Sequence, residues 1–371
     1  MKILVINWQC IKNPMGGGAE VHLHEIFSRV ASRGHEVTLF CCEFDGCQQE
    51  EVVDGIKIIR KGKRNTFNFG VKKEYKNRFL KEGFDIVVDD INKIPFYTPR
   101  YVKEPLLAIS HHFFGRSIFR EAGLISGLYV YLSEWLVNFV YKRTAFAVVS
   151  ESTLDEFIER GFDRRYFSIV MNAIEQGNFP MAVGKKYDFP CVVYFGRLKK
   201  YKSVDHLVQA FAKINTKFPA AQLHFIGRGD FQPELERLSE ELCIKDKTVF
   251  HGFVSEEEKV ELLSKSHVTV NTSMKEGWGI TNIESNGAGT PVISANVPGL
   301  RDSVKEGQSG LLYEYGNVDQ LAQQIERVLS DEELLNKLSD GAVEWAKEFS
   351  WDKSAEKMIG VCERVIEKFK P

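Results

Sequence analysis

No stretch of this chain comes near the ~20 consecutive apolar residues that a membrane-spanning helix requires. The best candidate, residues 124–149, is rich in Leu, Tyr, Phe and Val, but Glu134, Asn138, Lys142 and Arg143 interrupt it. A buried or surface-lying helix is expected there. Cysteine supplies no framework: seven of them, at 10, 41, 42, 47, 191, 243 and 362, are odd in number, scattered and without a CxxC pair, which fits a reducing cytoplasm. Met1-Lys2 runs directly into Ile3-Leu-Val-Ile6 without a long apolar core or cleavage site, so no signal peptide is expected. Net charge is −2, and nothing global argues for nucleic acid as a partner. A GxGxxG spacing is absent from the first glycine turn, which removes the dinucleotide fingerprint.

What is present is length and alternation. At 371 residues the chain exceeds one ordinary hydrophobic core, and 43% apolar with 27% charged residues is a soluble globular balance, so two domains are expected. Short apolar runs at 2–6, 36–40, 56–59, 85–88, 106–109 and 146–149 read as strands buried on both faces. Helical spacing separates them at 19–32, 69–81 and 154–160. A segment without apolar period, 175–188, reads as an interdomain linker. A second series of strands follows at 191–195, 222–226, 248–251, 267–271, 291–294 and 310–313, with helices at 204–213, 317–329, 331–347 and 351–369. The predicted fold is α/β in two domains, expected at 1–175 and 188–350, with a C-terminal helix, 352–371, long enough to leave its own domain.

Residues that suit chemistry sit where strands end. Met15-Gly-Gly-Gly-Ala-Glu20 joins the first strand to the first helix, and glycines there suit a phosphate approaching the backbone; a flexible turn is the alternative. Asp89-Asp90 end a buried strand, but adjacent carboxylates point oppositely in extended chain, so no metal site is expected. His111 follows another strand end, suited to proton transfer or to holding a hydroxyl, or simply packed under Phe113, Phe114 and Phe119. Arg197 and Lys202 flank a glycine turn before a helix, where two cations make an anion site more specific than glycine alone. Gly227 and Gly252-Phe253 repeat the strand-to-turn pattern, so four such turns are expected to line one edge. In Ser273–Ile293, Glu276 and Glu284 flank Gly277-Trp-Gly279. A helix opening near Ile280 aims unpaired N–H groups at an anion, while carboxylates repel phosphate and suit sugar hydroxyls.

Together, Gly16-Gly-Gly-Ala-Glu20, His111, Ser150-Glu-Ser-Thr153, Asn172-Ala-Ile174, Gly196-Arg197 with Lys202, Gly227 and the Glu276 to Glu284 motif resemble a retaining glycosyltransferase of the family-4 type, with the GT-B fold. The resemblance covers nearly the whole chain and implies two Rossmann-like domains facing a central cleft, with the C-terminal helix crossing back to the first. It implies a hexosyltransferase of glycan biosynthesis using a nucleoside diphosphate sugar, UDP- or GDP-linked, with no cofactor and no metal. Arg197 and Lys202 are implied to neutralise the diphosphate, Glu284 to take the ribose hydroxyls and Glu276 those of the donor sugar. The backbone around Gly279, Ile280 and Thr281 and the turn at Gly17-Gly18 are implied to meet the phosphates, and Gly227 and Phe253 the base. His111, nearer the strand end than His112, is implied to contact the sugar and support developing positive charge. Ser203 and Ala173 stand where the family often has glycine.

The acceptor, a glycan, lipid-linked or small-molecule hydroxyl, is expected on the first domain. From Lys57 to Lys81 the chain carries ten Lys or Arg residues and one acid, Glu74. That run suits peripheral contact with an anionic membrane at the inner face, or is a solvated basic face. Two other readings stay open: a sugar-nucleotide epimerase of the same architecture, and a non-catalytic sugar-nucleotide-binding protein.

Overall fold

The computed structural model describes residues 1–92, 94–115, 118–121 and 123–369. They divide into two compact units: residues 1–172 with the chain from Trp351 on, and residues 173–350.

The first unit is built on eight strands, β1 (Lys2–Ile6), β2 (Glu36–Cys41), β3 (Glu50–Val53), β4 (Ile56–Arg60), β5 (Ile86–Ile91), β6 (Leu106–Ser110), β7 (Ala145–Val148) and β8 (Phe167–Ile169). Their order is β3-β4-β2-β1-β5-β6-β7-β8, parallel except for β3, which pairs antiparallel with β4. Sequence reading misses β3 because Glu50-Glu-Val-Val53 is a short, half-exposed edge strand without a buried face. The helices are α1 (Gly18–Ser32), α2 (Phe67–Asn77), α3 (Ile118–Glu121), α4 (Leu124–Val140) and α5 (Glu151–Glu159). Phe67, Val71 and Tyr75 of α2 join the core of β1, β2 and β4, and Val137 of α4 with Leu154 and Phe157 of α5 join that of β6 and β7. The basic helix expected over 69–81 stops earlier. Helix α2 ends at Asn77, and a separate turn, Phe79–Lys81, follows Arg78.

The second unit holds β9 (Cys191–Phe195), β10 (Gln222–Ile226), β11 (Thr248–Gly252), β12 (Val268–Asn271), β13 (Val292–Ala295) and β14 (Gly310–Tyr313). Its helices are α6 (Val204–Asn215), α7 (Gln232–Glu241), α8 (Glu256–Lys265), α9 (Ile280–Gly287), α10 (Val318–Ser330) and α11 (Glu332–Ala346). All its strand pairings are parallel, in the order β11-β10-β9-β12-β13-β14. Winding therefore reverses between β9 and β12. In an open α/β sheet that reversal opens a crevice at the carboxyl ends of the two strands.

The segment 175–188 is not a free tether. Met181 N donates to Gly287 O at 3.0 Å, and Lys186 Nζ donates to Ser264 O, Gly289 O and Thr290 Oγ1 at 2.8–3.0 Å, fastening it to the second unit. It lacks a period because it crosses a surface by individual hydrogen bonds rather than forming an element. The last helix, α12 (Trp351–Phe369), packs on α1 in the first unit; residues 370 and 371 of the expected span lie outside the described residues. Met358 and Val361 are buried, each worth about 1.5–3 kcal/mol. Arg33 Nη2 pairs with Asp352 Oδ1 at 2.7 Å, and Ser354 Oγ donates to Met171 O at 2.8 Å.

Candidate functional site

In the second unit the turns after β9 and β12, which flank the winding reversal, are sewn together by backbone. Thr272 Oγ1 donates to Lys202 O at 2.9 Å, and Met274 N donates to Tyr201 O at 3.2 Å. The result is an ion pair between Lys202 Nζ and Glu276 Oε1, both largely shielded from solvent. Burial works against the Lys202 cation, but the Glu276 carboxylate overrides it and raises the pKa above that of a free lysine. Arg197 stands exposed at the start of the same turn, its Nη2 3.4 Å from Tyr201 OH. Ser203 caps α6 at φ +50°, a left-handed conformation that explains the preference for glycine there, and its hydroxyl bonds Tyr315 OH at 2.9 Å.

Gly279 is the N-cap of α9, and Ile280 and Thr281 begin that helix. A Cβ on Gly279 would lie 2.2 Å from Ser303 Oγ, so only glycine fits. Buried Asn282 holds the helix start in place, donating to Ser294 Oγ at 3.2 Å and Ser303 Oγ at 2.9 Å and accepting from Asn271 Nδ2 at 3.0 Å. Glu284, one turn on, is met by Lys259 Nζ of α8 at 2.8 Å, and Glu256 Oε2 holds the same ammonium at 2.6 Å. Burial raises the Glu284 pKa, and Lys259 opposes that rise. Lys259 escapes sequence reading, because α8 shows only four acids and two lysines on an ordinary amphipathic surface.

The remaining glycine turns share this edge. Gly227 N donates to Gly252 O at 2.8 Å and Gly196 N donates to Ile226 O at 3.0 Å. Gly227, at φ +131°, has Gly196 O where a Cβ would need to be, at 2.1 Å. Phe253 follows Gly252 with its side chain 80% exposed.

In the first unit, Glu20 caps the loop of Gly17 and Gly18: its Oε2 accepts from Gly17 N at 2.7 Å. No neighbour lies within 4 Å of a Cβ on Gly18, and on Gly17 only Glu20 Oε2 at 3.9 Å does, so internal packing does not demand glycine at either position. His111, just past β6, is buried, and its Nε2 lies 3.1 Å from Asp90 Oδ1. Its carbonyl accepts from Thr153 Oγ1 at 3.0 Å, which ties it to the start of α5, where Ser150 Oγ accepts from Thr153 N. Burial opposes the imidazolium, but Asp90 and then Glu20 outweigh it and raise the His111 pKa. His22 stands edge-on to His111 at 5.1 Å between centroids. Burial, then the charge of His111, drives its pKa down to about 3 against a hydrogen bond to Asn172, so it is neutral.

Neither Asp90 nor His22 was singled out from sequence as a partner of His111. Asp89 points to a different set of groups, Thr98 Oγ1 and Tyr141 OH, as opposed side chains on one strand must. Among the described residues no group of three or more His, Cys, Asp or Glu could hold a metal ion.

The Asp90–His111 pair makes a pH prediction. A raised folded pKa contributes stability that is complete below the unfolded value, ~6.5, and is lost as pH rises through the folded value. In Asp90→Asn burial then prevails, so the His111 pKa falls. The stability gap between wild type and variant should be widest below the ~6.5 reference and narrow as pH rises through the raised folded value. An NMR titration of the His111 ring that shows the same midpoint in both proteins removes Asp90 as the cause.

Two family models match the chain: "Glycosyltransferase Family 4" over residues 16–176 and "Glycosyl transferases group 1" over 177–345. An uncharacterized glycosyltransferase of Methanocaldococcus jannaschii is 27% identical, with 99% of each chain covered. Among solved structures, sucrose-phosphate synthase of Thermosynechococcus elongatus superposes with a TM-score of 0.79 at 19% identity over 99% of each chain. HepE of Anabaena in complex with UDP gives 0.74 at 18%, covering 98% of this chain and 100% of its own. At such identities the structural likeness speaks for the fold.

Proposed function

Because this chain belongs to glycosyltransferase family 4 and is a glycosyltransferase of the GT-B fold, we propose that it moves a hexose-type sugar from a UDP- or GDP-linked donor to an acceptor hydroxyl, retaining configuration and using no metal. The observation that carries this reading is the Lys202–Glu276 pair at the winding reversal, beside the start of α9. Departure of a nucleoside diphosphate leaves negative charge on the phosphate. Arg197, Lys202 and the first amides of α9, from Gly279 through Ile280 to Thr281, are the groups assigned to stabilise it. Glu276, oriented by Lys202, accepts from the donor sugar's hydroxyls, and Glu284, oriented by Lys259, from the ribose. Gly227 and exposed Phe253 are assigned to the base, and the open backbone at Gly17 and Gly18 to phosphate.

His111, its Nε2 held by Asp90, is assigned to contact the donor sugar and support the positive charge that develops there, as the resemblance implies. The leaving phosphate is the base proposed for the acceptor hydroxyl. The binding of UDP by HepE, a neighbour in fold, supports a nucleotide-linked donor.

Thermal melts with UDP, GDP, ADP and their sugars, in EDTA, test the donor site. A nucleotide at 100 times its Kd should stabilise the wild type by ~2.7 kcal/mol. Glu284→Gln, compared with its own ligand-free melt, should lose most of that gain. If no nucleotide stabilises the wild type, the transferase reading fails; turnover of the donor without acceptor to an epimer points instead to the epimerase.

A further inference from the structure

Helix α4 exposes an apolar stripe that its own unit does not cover. Leu124, Ile125, Leu128, Leu132, Trp135 and Phe139 recur at three- and four-residue spacing on one face, and each is about half exposed or more, Ile125 at 86%. The opposite face packs inward through Gly127, Val130, Ser133 and Val137. The helix's one acid, Glu134, is buried with them, accepting from Phe114 N at 2.7 Å and Gly115 N at 2.9 Å. The outer stripe therefore carries no charge, and it is continuous, unlike the scattered exposed hydrophobes of an ordinary surface.

Cations border it. Asn68 Nδ2 at the start of α2 reaches Tyr129 OH of α4 at 3.2 Å, so the basic helix begins beside this stripe, with Phe69 70% exposed next to the junction. Lys63, Arg64, Lys72, Lys73 and Lys76 are exposed on and before α2, and Lys142 and Arg143 are exposed just past the end of α4.

We propose that α4 and the cations of α2 form a docking surface for an anionic bilayer, with α4 lying in the interface plane. An uncharged aromatic and aliphatic stripe with lysines and arginines along its α2 side and past its end has the two attractions such a helix needs, apolar insertion and pairing with anionic headgroups. The charges also argue against a second copy packed antiparallel, which would bring the α2 cations of both copies to one side. No helix among the described residues is long and apolar enough to cross a membrane, so the helix lies on the bilayer rather than through it. A docked first unit suits an acceptor carried on lipid; that step alone rests on the transferase reading, whereas docking does not.

The test is flotation of the full chain with vesicles of phosphatidylcholine alone or mixed with phosphatidylglycerol, at low and high salt. The wild type should float with the anionic vesicles at low salt and far less with neutral ones. Trp135→Ser with Phe139→Ser, both on the exposed face, should cut partitioning at least ~10-fold, by removing inserted apolar surface. Lys72→Gln, Lys73→Gln and Lys76→Gln together should cut it by roughly 10²-fold, about fivefold for each cation, and flatten its salt dependence. Failure of the wild type to float at low salt overturns the proposal, as does a serine pair that floats like wild type. So does a concentration-dependent dimer in sedimentation that the serine pair dissociates, which would make a second copy the occupant. Nucleotide stabilisation, read in parallel, reports on the donor site whatever the vesicles show.

Discussion

Replacing Lys202 with alanine should lower kcat/KM for the nucleotide-sugar donor about 10²–10³-fold, equivalent to ~2.7–4 kcal/mol of transition-state stabilisation. Two consequences combine. The cation assigned to the leaving diphosphate is gone, and Glu276 loses the partner that orients its carboxylate. The fold should survive, because the turns after β9 and β12 are joined through the backbone carbonyls of Tyr201 and Lys202, which alanine keeps. Reduced steady-state turnover with a ligand-free melt that remains a single cooperative transition is the expected result. A variant within threefold of wild type would place the diphosphate elsewhere.

Gly299→Ala should act on the same carboxylate from behind and cost stability as well. Gly299 is buried at φ +82°, and a Cβ there would lie 2.1 Å from the carbonyl oxygen of Glu276 and 2.9 Å from the carbonyl carbon of Gly277. Left-handed backbone costs a residue with a Cβ about 1–2 kcal/mol, and overpacking typically another 1–3 kcal/mol. Main chain cannot rotate aside as a flexible side chain can, so the Glu276 turn must shift. A melting point lower by at least ~5 °C is expected, together with weakened stabilisation by the donor. An unchanged melt with unchanged donor binding would show that the turn relaxes freely and does not position Glu276.

The sites differ in how visible they were. Lys202 and Glu276 stand out because each lies past a buried strand beside a glycine turn, and parallel strands deliver such turns to one edge. Glu284 stood out by its place about one turn into the helix after Gly279. Their partners did not. Asp90 and His111 are 21 residues apart and Lys259 and Glu284 are 25 apart, and each pair forms only through the packing of elements whose relative placement leaves no mark on local spacing. His22 was hidden for the same reason: on α1 it reads as one polar residue in an amphipathic turn.

The stripe on α4 shows the limit from the other side. Its residues have the same hydropathy whether they face a core or solvent, so the sequence could only narrow 124–149 to a buried or surface-lying helix. By itself the sequence determined the strand-and-helix alternation, the two Rossmann-like series and the glycine turns, because periodicity and backbone freedom are local properties of the chain. Only the tertiary structure decided which carboxylate meets which cation, which histidine is raised and which lowered in pKa, that residues 175–188 belong to the second unit and that α4 turns its apolar face outward. Those outcomes depend on burial and on distances between residues far apart in the chain, and both exist only once the sheets have formed.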